Sequence, residues 1–335
     1  MRYSWKDIPA ILQTPIGRSK FKSTIWRKSW PLLLRLATLY RRTLIRNTCV
    51  VALVGSFGKT TTARALTAAL SARVPPSFGP NAYNATTCAV LRIRPHDRHS
   101  AIEVGIAHPG QMGVYARMIK PNITVVTSIG SEHNRSLGTL EVTRAEKSEM
   151  VKILPTSGIA VLNGDDPNVL WMKSQTRAWI ITFGIDKTND VRASEITLDW
   201  PNGTRFKLHA DGEMRELHIC LIGRYMVYPI LAAVTVSLAE VFTLDQVIPA
   251  LEALPPTPGR LEPIRLENGA IILRDDFKSS LETIDAALDV FSEIPAKRRI
   301  VILGEVSEPP GSQGPIYRKI GERIAKIASY AILSE

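Results

Sequence analysis

The sequence predicts an α/β protein, with a mostly parallel sheet that carries a small antiparallel insert and is followed by a second, incomplete β-α-β-α-β unit. Three observations predict it. Short apolar runs alternate with helical stretches from residue 50 onward, a Gly-Lys-Thr loop follows the first run, and the alternation resumes after the breaker Pro255-Pro256-Thr257-Pro258-Gly259. A chain of 335 residues has room for two such cores and an appendage.

The appendage comes first. Residues 1–48 hold Arg2, Lys6, Arg18, Lys20, Lys22, Arg27, Lys28, Arg35, Arg41, Arg42 and Arg46 against Asp7 alone, so nearly all of the net charge of +11 sits there. After Pro31, Leu32, Leu33, Leu36, Leu39 and Tyr40 recur at helical spacing, with Arg35, Thr38, Arg42 and Arg46 on another face. The expectation is that these leucines pack on the next domain while the arginines stay solvated. An anionic membrane surface or a protein partner is the alternative. Trp5, Trp26 and Trp30 interleave with the charges, but charge confined to the arm disfavours a nucleic-acid partner. The longest apolar stretch of the arm, Trp30 to Leu39, is interrupted by Arg35 and falls short of the roughly 20 residues that span a bilayer. Three widely spaced cysteines, Cys49, Cys88 and Cys220, with no signal segment, indicate neither a disulfide framework nor a cysteine zinc site, and fit a reducing cytoplasm.

From residue 50 the predicted order is strand Val50–Val54, helix Thr60–Ala72, strand Ala101–Val104, helix Gly110–Ile119, strand Ile123–Thr127, helix Leu140–Leu154 and strand Gly158–Leu162. Between 187 and 222, alternating runs such as Arg205–His209 and Glu216–Cys220, with turn signals at Pro201-Asn202-Gly203 and Asp211-Gly212, predict the antiparallel insert. Helices follow near 227–241 and 244–253. Beyond the hinge, strands are expected at Ile271–Leu273, Arg299–Leu303 and Tyr330–Leu333, with helices near 282–293 and 315–328. The third of these strands has no closing helix, which predicts a sheet face left uncovered. The boundaries implied are 1–48 for the arm, 49–258 for the central domain and 259–335 for the partial third unit.

The chemistry concentrates at Gly55-Ser56-Phe57-Gly58-Lys59-Thr60-Thr61-Thr62, between an apolar strand and a helical run. Gly55 and Gly58 let the backbone aim N–H groups at phosphate oxygens, and the helix N-terminus adds its positive end. Lys59 then faces the β- and γ-phosphates and the Thr60 hydroxyl faces Mg²⁺. Leu53 stands where the common phosphate loop has its first glycine, so the loop is a shortened form.

That form resembles the nucleotide loop of the Mur ligases, and further motifs in the same order extend the resemblance over about residues 50–305. They are Asn81-Ala82-Tyr83-Asn84, the Glu103 segment Ala101–Gly110, Thr127-Ser128-Ile129-Gly130-Ser131-Glu132-His133, Arg144-Ala145-Glu146-Lys147-Ser148-Glu149, Leu162–Pro167 and Gly259-Arg260-Leu261-Glu262. By motif the chain is most similar to the branch that adds D-alanyl-D-alanine. The resemblance implies a P-loop central domain, a Rossmann-like C-terminal domain and an ATP- and Mg²⁺-dependent ligase. Such a ligase joins a small-molecule carboxylate to an amine through an acyl phosphate. It implies catalytic roles for Lys59, Glu103, His133 and Lys147, the last as a carbamate. It implies metal ligands Thr60, Glu103 and His133. It implies nucleotide contacts from Gly55, Gly58, Lys59, Thr60, Thr61, Asn84, Asn163, Asp165, Arg260, Asp276 and Lys278. Charge builds on phosphoryl oxygens along such a reaction, which is why cations and metal ligands dominate the set.

The chain departs from the family in three places. The GRHNxxN segment, whose asparagines contact the adenine side of ATP, reads Gly223-Arg224-Tyr225-Met226-Val227-Tyr228-Pro229. Ser280-Leu281 replaces the Asn-Pro or His-Pro after Asp276. A short basic arm stands where the peptidoglycan enzymes carry a UDP-sugar domain, and the C-terminal domain is about half the family's length. The alternative readings are therefore a catalytically impaired, nucleotide-binding partner protein or, on the arm alone, a basic membrane- or nucleic-acid-binding module.

Overall fold

In the computed structural model the described residues are 14–74, 84–106, 108–130, 138–307, 309 and 311–334, with side chains described at Thr14 and from Lys28 onward. Among them an eight-stranded sheet dominates, in the order β2-β1-β3-β4-β5-β6-β7-β8. Its strands are β1 Cys49–Val54, β2 His99–Glu103, β3 Ile123–Val126, β4 Ile159–Asn163, β5 Trp179–Gly184, β6 Val191–Asp199, β7 Gly203–Ala210 and β8 Glu213–Ile219. β1 to β6 run parallel, and β7 is antiparallel to both of its neighbours. The continuous apolar run Cys-Val-Val-Ala-Leu-Val suits β1 to the middle of a parallel sheet, where both faces are covered.

Helices cover both faces. One core joins the sheet to α2 (Lys59–Leu70), α7 (Val227–Ala239) and α8 (Leu244–Glu252). The other joins it to α1 (Pro15–Arg42), α3 (Asn84–Leu91), α4 (Gln111–Ile119) and α5 (Leu140–Lys152), with α6 (Pro167–Leu170) following β4. Two strands, β5 and a short β9, carry no clear sequence signal, and the antiparallel insert is present as expected. β6 pairs in parallel with the end of β5 through Phe183↔Val191 and Gly184↔Arg192, so β6, β7 and β8 extend the main sheet at one edge.

The arm corrects another expectation. α1 begins at Pro15 and carries Pro31 inside it, and its buried stripe is Trp30, Leu34, Ala37 and Arg41, not the leucines counted above. Leu32, Leu36 and Leu39 are exposed. Arg41 decides the orientation: its guanidinium donates to the carbonyls of Ile119 (2.8 Å), Lys120 (3.0 Å) and Ile45 (2.7 Å), and to Asn122 Oδ1 (2.8 Å). The first two carbonyls close the C-terminal end of α4, where a cation is favoured.

Beyond Gly259, β9 (Glu262–Arg265) and β10 (Ile271–Arg274) form an antiparallel pair, while β11 (Ile300–Leu303) and β12 (Tyr330–Leu333) form a separate parallel pair. α9 (Leu281–Glu293) and α10 (Gln313–Ile327) pack with the latter through Ile284, Leu288, Val301, Ile320 and Ile324. The expected elements are present, but β10 joins β9 and not β11. Ile300, Ile302, Tyr330 and Ile332, which share one face of this pair, stand exposed, in line with the uncovered face expected above. Ile222, Leu261, Val290 and Ile294 seal this part against the central sheet.

Candidate active site

The loop between β1 and α2 is clamped to the end of β3. Ser56 N–H donates to Ser128 O (2.9 Å), Phe57 N–H to Ser128 Oγ (2.9 Å), and Thr127 Oγ1 to Phe57 O. A Cβ at Gly55 would collide with Thr127 Oγ1, and Gly58 holds φ +87° as α2 begins, so both positions require glycine. Lys59 Nζ curls back onto Gly55 O (2.7 Å) and Ser56 O (3.2 Å). Burial drives its pKa down to about 8, against the opposing pull of Glu103, and Arg260 lowers it further. Thr60 Oγ1 donates to Glu103 Oε2 at 3.0 Å, bringing together two of the three predicted metal ligands. A hydroxyl and a carboxylate are hard oxygen donors that fit Mg²⁺. His133, the third, lies outside the described residues, as does the segment Asn81–Tyr83. Among the described residues no group of three His, Cys, Asp or Glu makes a metal cluster. Thr61 Oγ1 meets Thr257 Oγ1 at 3.2 Å, tying α2 to the hinge.

These groups open on a cavity of about 920 Å³ along the C-terminal ends of β2, β1, β3, β4 and β5, closed on one side by Arg260, Asp275, Phe277 and Lys278. The volume is ample for a nucleotide with room beside it. Arg260 spans the wall, its Nη1 on Lys278 O (3.2 Å) and its guanidinium 4.7 Å from the centre of the Phe277 ring. Asp276 turns away from the cavity to pair with Arg274 at 2.9 Å. The carboxylate at the cavity is Asp275, one position earlier and pushed up to about 6 by burial. Just past the end of β10 the two neighbouring carboxylates turn to opposite sides, a distinction that the Asp-Asp pair hides.

Lys147 lies beneath the loop, 2% exposed, with its amine 2.9 Å from Ser56 Oγ. Burial, and after it the charge of Lys59, hold it well below the usual lysine range, opposed by Asp166 and Glu282. Glu282 comes from the first turn of α9, a contributor to this site that carries no motif.

The far end of the cavity is aromatic, with Phe183, Tyr225, Met226, Tyr228 and Pro229 on its walls. Its polar groups are engaged within the protein. Asp165 accepts from Tyr228 Oη (2.8 Å), Asn189 Nδ2 (2.8 Å) and the N–H groups of Ile185 (2.5 Å) and Asp186 (3.1 Å). Asn163 donates to Thr127 O (2.9 Å) and accepts from Asp165 N–H (3.1 Å). Asp166 caps α6 and accepts from Ile129 N–H (2.8 Å). Asn84 is buried at the start of α3, outside the described cavity wall.

Residues 53–237 match the model of the Mur ligase middle domain. The UDP-N-acetylmuramoyl-tripeptide--D-alanyl-D-alanine ligase of Mycobacterium tuberculosis is 29% identical over 286 residues, covering 82% of this chain and 56% of that protein. The Escherichia coli enzyme of the same name is 28% identical over 283 residues, covering 82% and 61%. The chain thus spans less than two thirds of these relatives. Among solved structures, MurF from Acinetobacter baumannii superposes with a TM-score of 0.82 at 24% identity, covering 90% of this chain and 66% of that one. MurF from Thermotoga maritima in complex with ADP gives 0.80 at 22%, covering 92% and 74%. With the family's middle domain matched over more than half of its length and the same α/β fold, the chain belongs to the Mur ligase family.

Proposed function

We propose that this protein is an ATP-dependent ligase that forms an amide bond between a small-molecule carboxylate and an amine, such as an amino acid or peptide, in the cytoplasm. The observation that carries the reading is the convergence of Lys59, the Thr60–Glu103 pair, Arg260 and Lys278 on one cavity. We assign 49–258 to the ATP-binding domain and 259–335 to a C-terminal domain that supplies the opposite wall.

In the reaction a carboxylate oxygen attacks the γ-phosphorus and ADP leaves. The amine nitrogen then attacks the acyl carbon, and phosphate departs with the former carboxylate oxygen while the amine gives up a proton. Gly55, Gly58 and the N-terminus of α2 cradle phosphate oxygens, and Thr61 steadies the helix. Lys59, released from its two carbonyls, neutralises charge on the transferred group, and Arg260 and Lys278 do so from the other wall. Thr60, Glu103 and His133 would hold Mg²⁺, which supplies further charge neutralisation when bound. The lowered pKa of Lys147 supports carbamylation, because the neutral amine is the form that adds carbon dioxide. Asn163 and Asp165 we assign to shaping the nucleotide site, since they already satisfy one another and their neighbours, whereas Asn84 and Asp276 lie off the cavity wall.

A second reading, a catalytically impaired nucleotide-binding partner, is favoured by Met226 and Pro229 at the two asparagine positions and by the engagement of Asp165. Protein incubated with ATP, Mg²⁺ and pooled carboxylates and amines separates the two. Phosphate release that needs both pools and is lost in Lys59→Ala supports the ligase. ATP binding without such release supports the partner.

A further inference from the structure

We infer that the outer face of α1 is a docking surface for an anionic lipid bilayer. This goes beyond the ligase reading and does not depend on it. Leu32, Leu36 and Leu39 follow one another at i, i+4 and i+7 and are 62%, 47% and 60% exposed. They are held outward by the opposite stripe of the same helix. Arg41, only 6% exposed, makes four hydrogen bonds to Ile45, Ile119, Lys120 and Asn122, so α1 cannot roll its leucines inward without stripping a buried guanidinium of its partners.

The charges around this stripe have one sign. Lys28, Arg35, Arg42 and Arg46 are exposed on and just after the helix. The helices packed beneath add Arg92 and Arg94 after α3, where Tyr40 Oη donates to Ile93 O at 2.7 Å, and Lys120 after α4. Between Asp7 and Asp97 the sequence holds no acidic residue. Here a leucine row is interleaved with arginine, the arrangement of a helix lying in the plane of a bilayer, with leucines among the acyl chains and guanidinium groups at lipid phosphates. Among the described residues no helix is long and apolar enough to cross the membrane, so the contact is with one leaflet.

The test is co-sedimentation of the full chain with vesicles of phosphatidylcholine alone or mixed equally with phosphatidylglycerol. The expected result is sedimentation with the mixed vesicles only, weakening as salt rises. The combined Leu32→Gln, Leu36→Gln, Leu39→Gln variant and the combined Arg35→Gln, Arg42→Gln, Arg46→Gln variant are each expected to bind on the order of 100-fold more weakly. ATP affinity should be unchanged in both, since neither set touches the cavity. Equal binding to neutral vesicles, or no binding to either, overturns the inference, and these two readings need no variant. Gel filtration supplies the remaining outcome: a wild-type oligomer that the leucine variant converts to monomer assigns the face to a second copy of the chain and overturns it too.

Discussion

The Lys147 amine sits 2.9 Å from Ser56 Oγ, and the same hydroxyl oxygen receives the Gly130 N–H at 2.8 Å, so one serine joins the phosphate loop, the end of β3 and α5. Burial beside Lys59 holds that amine well below its ordinary pKa, which favours the neutral form that adds carbon dioxide. Protein in ¹³C-bicarbonate is expected to show a carbamate carbon signal that is absent in Lys147→Arg. The same signal in wild type and variant would remove Lys147 from its proposed role.

Lys59 titrates near pH 8 in the folded chain, below its usual 10.5. Its ammonium therefore burdens the folded state below pH 8, and stability rises with pH from 8 towards 10.5, where only the unfolded chain binds that proton. ATP binding has the opposite slope, because the phosphates need the charged form. Affinity measured by calorimetry should fall as pH rises through about 8, with protons taken up on binding, and Lys59→Arg should flatten the profile.

The Tyr228 hydroxyl and three N–H donors occupy Asp165, and the cavity wall around it is aromatic and aliphatic. Discrimination by hydrogen bonding reaches about 10⁴-fold, whereas shape in an apolar pocket gives about 100-fold or less. ATP and GTP should accordingly bind within about 100-fold of each other. A larger preference for ATP would mean that groups other than these side chains read the base. Tyr228→Phe should cost about 1–2 kcal/mol in denaturant unfolding, by leaving Asp165 short of a donor.

Asp275 reaches about 6 because burial disfavours its charge. A carboxyl raised in the folded state binds more protons there than when unfolded, so stability falls as pH rises from about 4 to 6 and then levels. Asp275→Asn should gain about 1 kcal/mol at pH 7, after allowance for partial solvent access, and lose this pH slope. Urea unfolding at pH 5 and pH 7 checks both.

Much of this was legible in the sequence, for identifiable reasons. A phosphate loop is local: its strand, glycines, lysine and helix are contiguous, so Gly55 to Thr61 could be placed by spacing alone. Glu103 was legible because a carboxylate ending an apolar strand needs a reason, and the structure pairs it with Thr60. What was hidden depends on facing. Asp275 and Asp276 differ in which side of the chain they occupy, and the outward facing of the α1 leucines follows from the burial of Arg41, which helical spacing does not announce. β9 was obscured by Pro263 and by its four-residue length. Glu282 reaches the site by tertiary packing, and no local pattern announces it, whereas Tyr228 stands in the Gly223–Pro229 segment but its bond to Asp165 depends on the fold.

On the proposed ligase reading, ATP activates a carboxylate at this cavity. The direct measurement supplies carboxylates labelled with ¹⁸O, together with amines, ATP and Mg²⁺, and follows the label by mass spectrometry. An acyl phosphate hands one carboxylate oxygen to the released phosphate, so the expected product is phosphate carrying a single ¹⁸O, formed only when an amine is present to complete turnover. Phosphate free of label would mean that water, not a carboxylate, attacks ATP, and would contradict that reading.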